Sequence, residues 1–502
     1  MALEIKKQST ETEYTVGSGE AQALARAETL VPGAGREAIE VLLADATVAQ
    51  ESADVQTDRM VVEGTVRCQA AYRQGNEATL RSVEAQTRIS QVFDMPGAAP
   101  GMTPRACCTV EHVEARYENG HMVFLVTVSI SARAYALVPA ELMTGVESTD
   151  AVETQFHEIS SCRITAESSA VHTLREESTL PAALDARTSL MEWGDVWVDS
   201  WESDLGGIKV KGRLNAETLI SSGVEGRPAA SVRNTFDFEQ LVEVPEWLAG
   251  DVCAEAVLRR ISTRVEQGGE REDSILVTEA EIGINVTSIG RDRISALTDA
   301  YAASGNHLNV TSSEHRLCSD IRCNSYTEQF KGTLLLSENA PGVGSVISVS
   351  VHPNISSAGT DGMIEGVLEA TVLYMPGGSD RAASARSETP FSLKAPSGIN
   401  DSTMICMKVL ASEANTLMSD RVELKCSLGI TAFTRDEAAA KVASEISEGD
   451  GLKKKPGIII VWPDNTDTVW SIAKKYSLPS EYIASLWCGD TAEPGKAMVI
   501  KI

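Results

Sequence analysis

The sequence is poor in aromatic residues and has no long apolar run. Phe, Trp and Tyr make up only 5% of its 502 residues, whereas hydrophobic residues make up 43%. This composition supports globular cores built mainly from Val, Ile, Leu and Ala, and it argues against global disorder. Because no run reaches the roughly 18 apolar residues of a membrane-spanning helix, we expect no transmembrane segment. The length alone predicts about three to four domains.

Basic residues are also scarce. The chain has 44 Lys and Arg against 71 Asp and Glu, which gives a formal net charge of −27. Such a surface repels nucleic-acid backbones and anionic membranes, so neither is an expected partner. The charge is uneven, because residues 451–502 carry seven lysines and five acidic residues, a net charge of +2, and the remaining chain carries −29.

The cysteines lack the paired spacing of a zinc site. The ten cysteines are scattered; Cys107 and Cys108 are adjacent, and Cys318 and Cys323 are five positions apart. We therefore predict reduced and mostly buried cysteines, as in a cytosolic protein. The first residues, MALEIKKQSTETEYTV, contain no apolar core of a secretory signal, which favours the same location.

Catalytic motifs are absent as well. The seven histidines show no HExxH or HxH pattern, and no Gly-x-Ser-x-Gly elbow occurs. Residues Gly489–Lys496 resemble a phosphate loop, but the glycine spacing is one residue too long and Ala497 replaces the required Ser or Thr. We predict a non-enzymatic protein with no catalytic residue, no cofactor and no metal.

Three similar segments recur along the chain at intervals of about 150 residues. They are VVEGTVRCQAAY (Val61–Tyr72), KVKGRLNAETLI (Lys209–Ile220) and MIEGVLEATVLY (Met363–Tyr374). Each is followed by a Phe near a Pro-containing turn and then by a long alternating strand. Alternation of this kind marks half-buried strands, and the recurring glycine predicts a bulge or a close approach of two backbones. We therefore predict a mainly β fold with antiparallel sheets packed face to face.

The repeated segment resembles the SPOCS domain, which occurs in tandem in bacterial spore-coat and spore-cortex proteins. The resemblance covers roughly residues 10–440 and rests on the strand glycine, the Phe and Pro turn and the closing strand. It implies three β-sandwich-like repeats over residues 1–148, 149–297 and 298–440. The third copy departs from the other two in its shorter spacing between Pro341 and Gly366.

A different composition follows the third segment. Residues Arg435–Gly457 begin with helix formers and continue into Glu-Gly-Asp-Gly and three lysines, which predicts a short helix and a charged linker over residues 441–456. Residues 457–502, which we call the C-terminal module, are too short for another repeat. Their pattern predicts a strand, a helix from about Thr468, a second helix opened by Pro479, and a final strand.

The C-terminal module resembles the LysM module, whose usual run is Val-x-x-Gly-Asp-Thr-Leu-x-x-Ile-Ala. Asp467–Val469 and Ile472–Ala473 match this run, and Pro494–Gly495 match its later Pro-Gly turn. The resemblance implies a βααβ fold, and LysM modules usually bind N-acetylglucosamine chains through two loops. Both loops depart here, because the first is longer with Thr466 in place of Gly, and Trp487 stands where the family has Asn.

The aromatic and basic residues of the module predict a surface that binds another polypeptide. Trp and Tyr bury large areas at modest entropic cost, and they dominate interface hot spots. The candidate residues are Trp462, Asp467, Thr468, Trp470, Lys474, Lys475, Tyr482 and Trp487. The alternative is that the tryptophans complete the small core of the module and the lysines are merely solvated.

Tandem SPOCS-like repeats followed by a LysM-like module resemble a family of spore morphogenetic proteins. This resemblance implies an adaptor in the mother-cell cytoplasm, at the forespore surface, that binds the coat morphogenetic ATPase and other coat proteins. Two alternatives stay open. One is a LysM protein that binds peptidoglycan in the cell wall or spore cortex, and the other is a homo-oligomer assembled through exposed strand edges.

Overall fold

The computed structural model describes residues 3–33, 37–244, 251–268, 272–304, 306–337, 340–358, 362–395, 398–451, 457–486 and 497–501. These residues form twenty β-strands and two α-helices. The predicted mainly β fold class is therefore confirmed.

The first six strands form a compact pair of sheets that we call unit 1. Its strands are β1 (Leu3–Leu30), β2 (Ile39–Gln56), β3 (Arg59–Gln74), β4 (Leu80–Asp94), β5 (Thr103–Glu118) and β6 (His121–Ser148). The sheets have the orders β1–β6–β5 and β2–β3–β4. Alternate residues of β6, such as Phe124, Val126 and Val128, are fully buried between them. The period-2 pattern of the sequence thus places one face of the strand in the core.

The same strand order recurs twice. Unit 2 contains β7 (Val152–Leu180), β8 (Ala186–Asp204), β9 (Gly207–Ser222), β10 (Ala229–Glu243), β11 (Asp251–Glu266) and β12 (Ser274–Ala302). Unit 3 contains β13 (Asn306–Leu335), β14 (Val343–Ala358), β15 (Met363–Pro376), β16 (Ala383–Lys394), β17 (Met404–Met418) and β18 (Arg421–Gly451). In each unit the first and last strands pair along nearly their whole length and extend beyond the fifth strand as a two-stranded ribbon.

The predicted helix and linker after residue 435 are wrong over most of their length. Strand β18 continues to Gly451 and pairs with β13 from Arg421 onwards. Val442, Ala443 and Ile446 are buried against the other ribbons, so tertiary packing overrides the helix propensity of the Ala-rich segment. Strand β12 likewise runs past the predicted boundary at residue 297, to Ala302.

The recurring glycine lies beside a β-bulge in every unit. The register of the neighbouring strand shifts directly after the residue that faces Gly64, Gly212 or Gly366. A Cβ added to these glycines would lie 2.8 Å from the Ala49 carbonyl oxygen, 2.3 Å from that of Trp197 and 2.1 Å from that of Asn354, respectively. The predicted close approach of two backbones is confirmed, and only glycine fits there.

The recurring Phe has different neighbours in different units. Phe238 and Phe391 face Gly212 and Gly366 across the sheet and cover them. Phe93 lies further along its strand, opposite Met60. The aromatic ring therefore shields the glycine in units 2 and 3 only.

Replacing Gly366 by Ala is expected to lower the free energy of unfolding by about 1–3 kcal/mol, because the new methyl group would clash with a carbonyl oxygen of the adjacent strand. The matched control is Gly377→Ala, because a Cβ at Gly377 has nothing within 4 Å. Urea denaturation followed by circular dichroism measures both variants. Equal midpoints for the two variants would contradict the close approach at Gly366.

The three units meet in shared apolar clusters. One cluster, which we call the junction cluster, takes residues from the second sheet of every unit: Leu42, Leu43, Ala71 and Leu80 from unit 1, Leu190, Met191, Leu219 and Ala229 from unit 2, and Leu373, Met375 and Ala382 from unit 3. A second cluster joins the three ribbons and includes Leu142, Ile159 and Leu317. Isolated two-stranded ribbons are marginally stable in water, so the ribbons stabilise one another by burying these faces.

A buried ion pair lies where the three units meet. Glu13 of β1 and Arg435 of β18 are only 3% and 2% exposed, and the Arg435 guanidinium donates to the Glu13 carboxylate. The Ile164 amide of unit 2 donates to the same carboxylate at 2.7 Å. The guanidinium also stacks on the ring of Tyr135, 3.4 Å from its centroid. This cluster joins one residue from each unit through polar contacts.

Four cysteines form disulfides, which contradicts the predicted reduced state. Cys107 pairs with Cys406, and Cys253 pairs with Cys323. The first bond joins units 1 and 3, and the second joins units 2 and 3. Partners separated by 299 and 70 residues carry no spacing signal, so only the packing of the units brings them together. Cys68, Cys108, Cys162, Cys318 and Cys426 are free.

The free thiols of Cys68 and Cys426 are expected to resist alkylation in the folded protein. Burial raises the pKa of each thiol to about 12, so both stay protonated and shielded at pH 8. Iodoacetamide treatment without reductant, followed by peptide mapping, should leave these two unmodified and show the Cys107–Cys406 linked peptide. Rapid modification of Cys107 or Cys406 under the same conditions would contradict the disulfide.

The C-terminal module contains the remaining elements. They are β19 (Ile458–Val461), α1 (Val469–Tyr476), α2 (Ser480–Leu486) and β20 (Met498–Lys501). Strands β19 and β20 pair antiparallel. Ile472, Ala473, Ile483 and Ile500 form the centre of its small core, and the first two lie on the apolar face of α1.

Candidate functional site

The start of α1 is held by a capping box. Thr468 accepts a hydrogen bond from the Ser471 amide at 3.1 Å, and the Ser471 hydroxyl accepts one from the Thr468 amide at 2.9 Å. Asp467 accepts a hydrogen bond from the Ser471 hydroxyl at 3.3 Å. Two of the predicted binding residues therefore hold the start of the helix: Thr468 satisfies the Ser471 amide, and Asp467 binds the Ser471 hydroxyl.

Trp470 and Lys474 face unit 2 rather than solvent. The Trp470 indole nitrogen donates to one carboxylate oxygen of Asp299 at 2.9 Å, and the Lys474 ammonium donates to the other at 2.5 Å. The Trp470 ring packs edge-on against Tyr301, with 4.9 Å between centroids. These two predicted residues thus contact the end of the ribbon formed by β7 and β12.

Trp462 lies beside the strands of the module, directly after β19. Alternation in β19 directs Ile458, Ile460 and Trp462 outward, and these side chains are 67%, 50% and 64% exposed. Val499 of β20 is opposite Ile460 and is 47% exposed. The outer sheet face is therefore an exposed apolar surface with a Trp at its edge.

The other predicted residues are divided between core and solvent. Tyr482 packs against the module core, and its hydroxyl accepts a hydrogen bond from the Lys501 amide at 3.1 Å. Lys475 is exposed near the ring of Tyr476. Trp487 lies outside the described residues. The described members of the predicted set thus divide into a helix-cap pair, a pair that contacts unit 2, Tyr482 in the module core, and the exposed Trp462 and Lys475.

Sequence reasoning missed the acidic residues that contact the module. Asp299 belongs to the tripeptide Thr-Asp-Ala, which occurs at Thr149 and again at Thr298. Glu153 lies on the adjacent strand and accepts a hydrogen bond from Ser480 at 2.8 Å. The repeated tripeptide was the available signal, but nothing in its spacing indicates a contact with residues about 170 positions away.

A cavity of about 1240 Å³ lies between the three units. Four pairs of ionisable residues in its lining cross the unit boundaries. The pairs are Arg67 with Glu192 at 2.6 Å, Lys408 with Asp195 at 3.2 Å, His352 with Asp45 at 3.2 Å and Arg105 with Glu255 at 2.7 Å. These pairs join the units around the cavity.

One cluster of candidate metal ligands occurs in the described part of the chain. The ligand atoms of Cys253, Glu255 and Cys323 lie within 4.8 Å of one another. Both sulfurs are joined in a disulfide, and Glu255 pairs with Arg105 at 2.7 Å. In this arrangement all three donors already have partners. Of the helices in the described ranges, none is long and apolar enough to cross a membrane.

Residues 37–118 match the family model described as SipL, SPOCS domain. The chain carries a SPOCS domain. The matched residues contain strands β2–β5, which are the whole second sheet of unit 1 and the edge strand of its first sheet. The SPOCS domain associates the protein with sporulation and the spore coat. The resemblance of the repeated segments to this domain predicts the same association.

No curated protein and no solved structure matches the chain. The SPOCS match lies within unit 1, so units 2 and 3 are related to it here by their strand order and bulged glycines. The LysM resemblance of the C-terminal module stays a prediction.

Proposed function

We propose that the protein is a non-enzymatic adaptor of the spore coat. It docks a coat morphogenetic ATPase through its C-terminal module and, by way of its three units, tethers the coat to the forespore surface from the mother-cell side. The observation that carries this proposal is the SPOCS domain in residues 37–118.

The surface of the C-terminal module supports a role in protein binding. Its outer sheet face exposes Trp462 beside Ile458 and Ile460, and clustered apolar surface of this kind marks interaction sites. Residues 451–502 carry a net charge of +2, opposite in sign to the remaining chain. An acidic partner is therefore attracted to the module more than to the units.

The Trp462→Ala variant is expected to weaken binding of the full chain to the coat morphogenetic ATPase by about tenfold or more, as for a hot-spot tryptophan. The matched control is Trp201→Ala, because Trp201 is also exposed, at 41%, but lies in unit 2. Isothermal titration calorimetry with the purified ATPase measures both. An equal loss of affinity for the ATPase in the two variants would contradict docking through the module.

Peptidoglycan binding is the alternative function, and it can be tested with the full chain. A pull-down on purified cortex or chitin measures retention of the wild type and of Thr468→Ala. Retention that disappears in the variant would favour the glycan-binding function, whereas we expect neither protein to be retained.

A further inference from the structure

One carboxylate of unit 2 binds two donors of helix α1. Asp299 accepts hydrogen bonds from the Trp470 indole at 2.9 Å and from the Lys474 ammonium at 2.5 Å. The side chains of Asp299 and Lys474 are only 24% and 35% exposed. Charge-assisted hydrogen bonds shielded from water are stronger than neutral ones, so this contact holds the helix in a defined place.

An aromatic residue beside Asp299 extends the contact. Tyr301 is 1% exposed, its ring packs against Trp470, and its hydroxyl donates to the Leu478 carbonyl at 2.8 Å. Glu153, which is paired with Tyr301 across the ribbon, accepts a hydrogen bond from Ser480 at the start of α2. The end of the ribbon therefore presents two carboxylates around an aromatic ring to the turn between the two helices.

The charge of the two parts favours this contact over solvent. The module region carries a net charge of +2 and the rest of the chain −29. Lys474 lies in the last turn of α1, next to the exposed Lys475. Only one of these adjacent lysines contacts Asp299. The reactivity of the bound Lys474 ammonium group can therefore be compared with that of the exposed Lys475 group in the same molecule.

We propose that the end of the β7–β12 ribbon is an internal ligand for the Trp470–Lys474 face of the module. A partner that takes this face must displace Asp299 and supply a carboxylate beside an aromatic or apolar side chain of its own. This statement about the partner rests on the proposed adaptor function. The internal ligand lowers the apparent affinity of such a partner, because that affinity equals the intrinsic affinity multiplied by the fraction of molecules in which the face is open.

The test replaces one carboxylate in the full chain. Asp299→Asn removes the charge with little change in shape, and Glu158→Gln, an exposed residue on the same ribbon, is the matched control. Brief acetylation of lysines followed by mass spectrometry compares Lys474 with Lys475. In the wild type and in Glu158→Gln, Lys474 should react about tenfold more slowly than Lys475. In Asp299→Asn the two lysines should react at similar rates.

Titration with the purified coat morphogenetic ATPase tests the competition. The Asp299→Asn variant should bind about tenfold more tightly than the wild type, and Glu158→Gln should match the wild type. An unchanged ratio of lysine reactivities in Asp299→Asn would overturn the internal ligand, whatever the ATPase does. A changed ratio with equal affinities would overturn the competition. The absence of binding by every protein would overturn the proposed adaptor function alone, since the lysine ratio is measured without the ATPase.

Discussion

The Glu13→Ala variant is expected to lose about 3–5 kcal/mol of the free energy of unfolding. Removing the carboxylate leaves the Arg435 guanidinium buried, at 2% exposure, without its ionic partner. It also removes the acceptor of the Ile164 amide in unit 2. The loss therefore affects contacts among all three units at once. Urea denaturation followed by circular dichroism measures the change.

Two further variants separate this effect from a general loss of charge. Glu279→Ala removes an exposed carboxylate that pairs with Arg175 and Arg264 on the surface of unit 2, and it should leave the urea midpoint nearly unchanged. Burial raises the pKa of Glu13 although Arg435 lies beside it, so the pair does not fully offset the desolvation of the carboxylate. The double variant Glu13→Leu with Arg435→Met should therefore recover most of the loss. A midpoint for Glu13→Ala equal to that of Glu279→Ala would contradict the buried pair.

Replacing Leu373 by Ala should lower the free energy of unfolding by about 2–5 kcal/mol. Leu373 is fully buried in the junction cluster, between residues of units 1 and 2. Truncation removes buried methyl groups and leaves a cavity that the surrounding strands fill only in part. Thermal and urea denaturation, read as the change relative to the wild type, measure this loss.

The control for Leu373→Ala is the same substitution at a solvent-exposed leucine. Leu205 is 95% exposed in the turn between β8 and β9, and Leu205→Ala should change stability by less than about 0.5 kcal/mol. If the three units are coupled through the junction cluster, the wild type should unfold in a single transition. A separate early transition of one unit in the wild type would show that the cluster does not join the units.

Much of the fold follows from local patterns in the sequence. Alternation along β6, β12 and β18 predicts half-buried strands, because the side-chain period of a strand is two residues. The glycines at positions 64, 212 and 366 predict a bulge, because an added Cβ would meet a carbonyl oxygen of the next strand. Both signals act within one or two neighbouring strands, so they can be interpreted without the tertiary structure.

Other features depend on contacts between distant parts of the chain. The Ala-rich segment of β18 has helix propensity, yet pairing with β13 and packing against the other ribbons make it a strand. The Cys107–Cys406 disulfide joins residues that are 299 positions apart in the sequence. The hydrogen bond between Trp470 and Asp299 joins residues that are 171 positions apart. Contacts between residues so far apart leave no repeating pattern in the sequence. The sequence therefore indicates Trp470 and Lys474 as binding residues but does not indicate their contact with unit 2.

We propose that the protein binds another protein of the coat and not the glycan of the cortex. Parallel binding of the wild-type chain to the purified coat morphogenetic ATPase and to purified cortex peptidoglycan tests it most directly. We expect saturable binding to the ATPase, weakened by Trp462→Ala, and no retention on peptidoglycan. Retention on peptidoglycan together with no binding to the ATPase would contradict it.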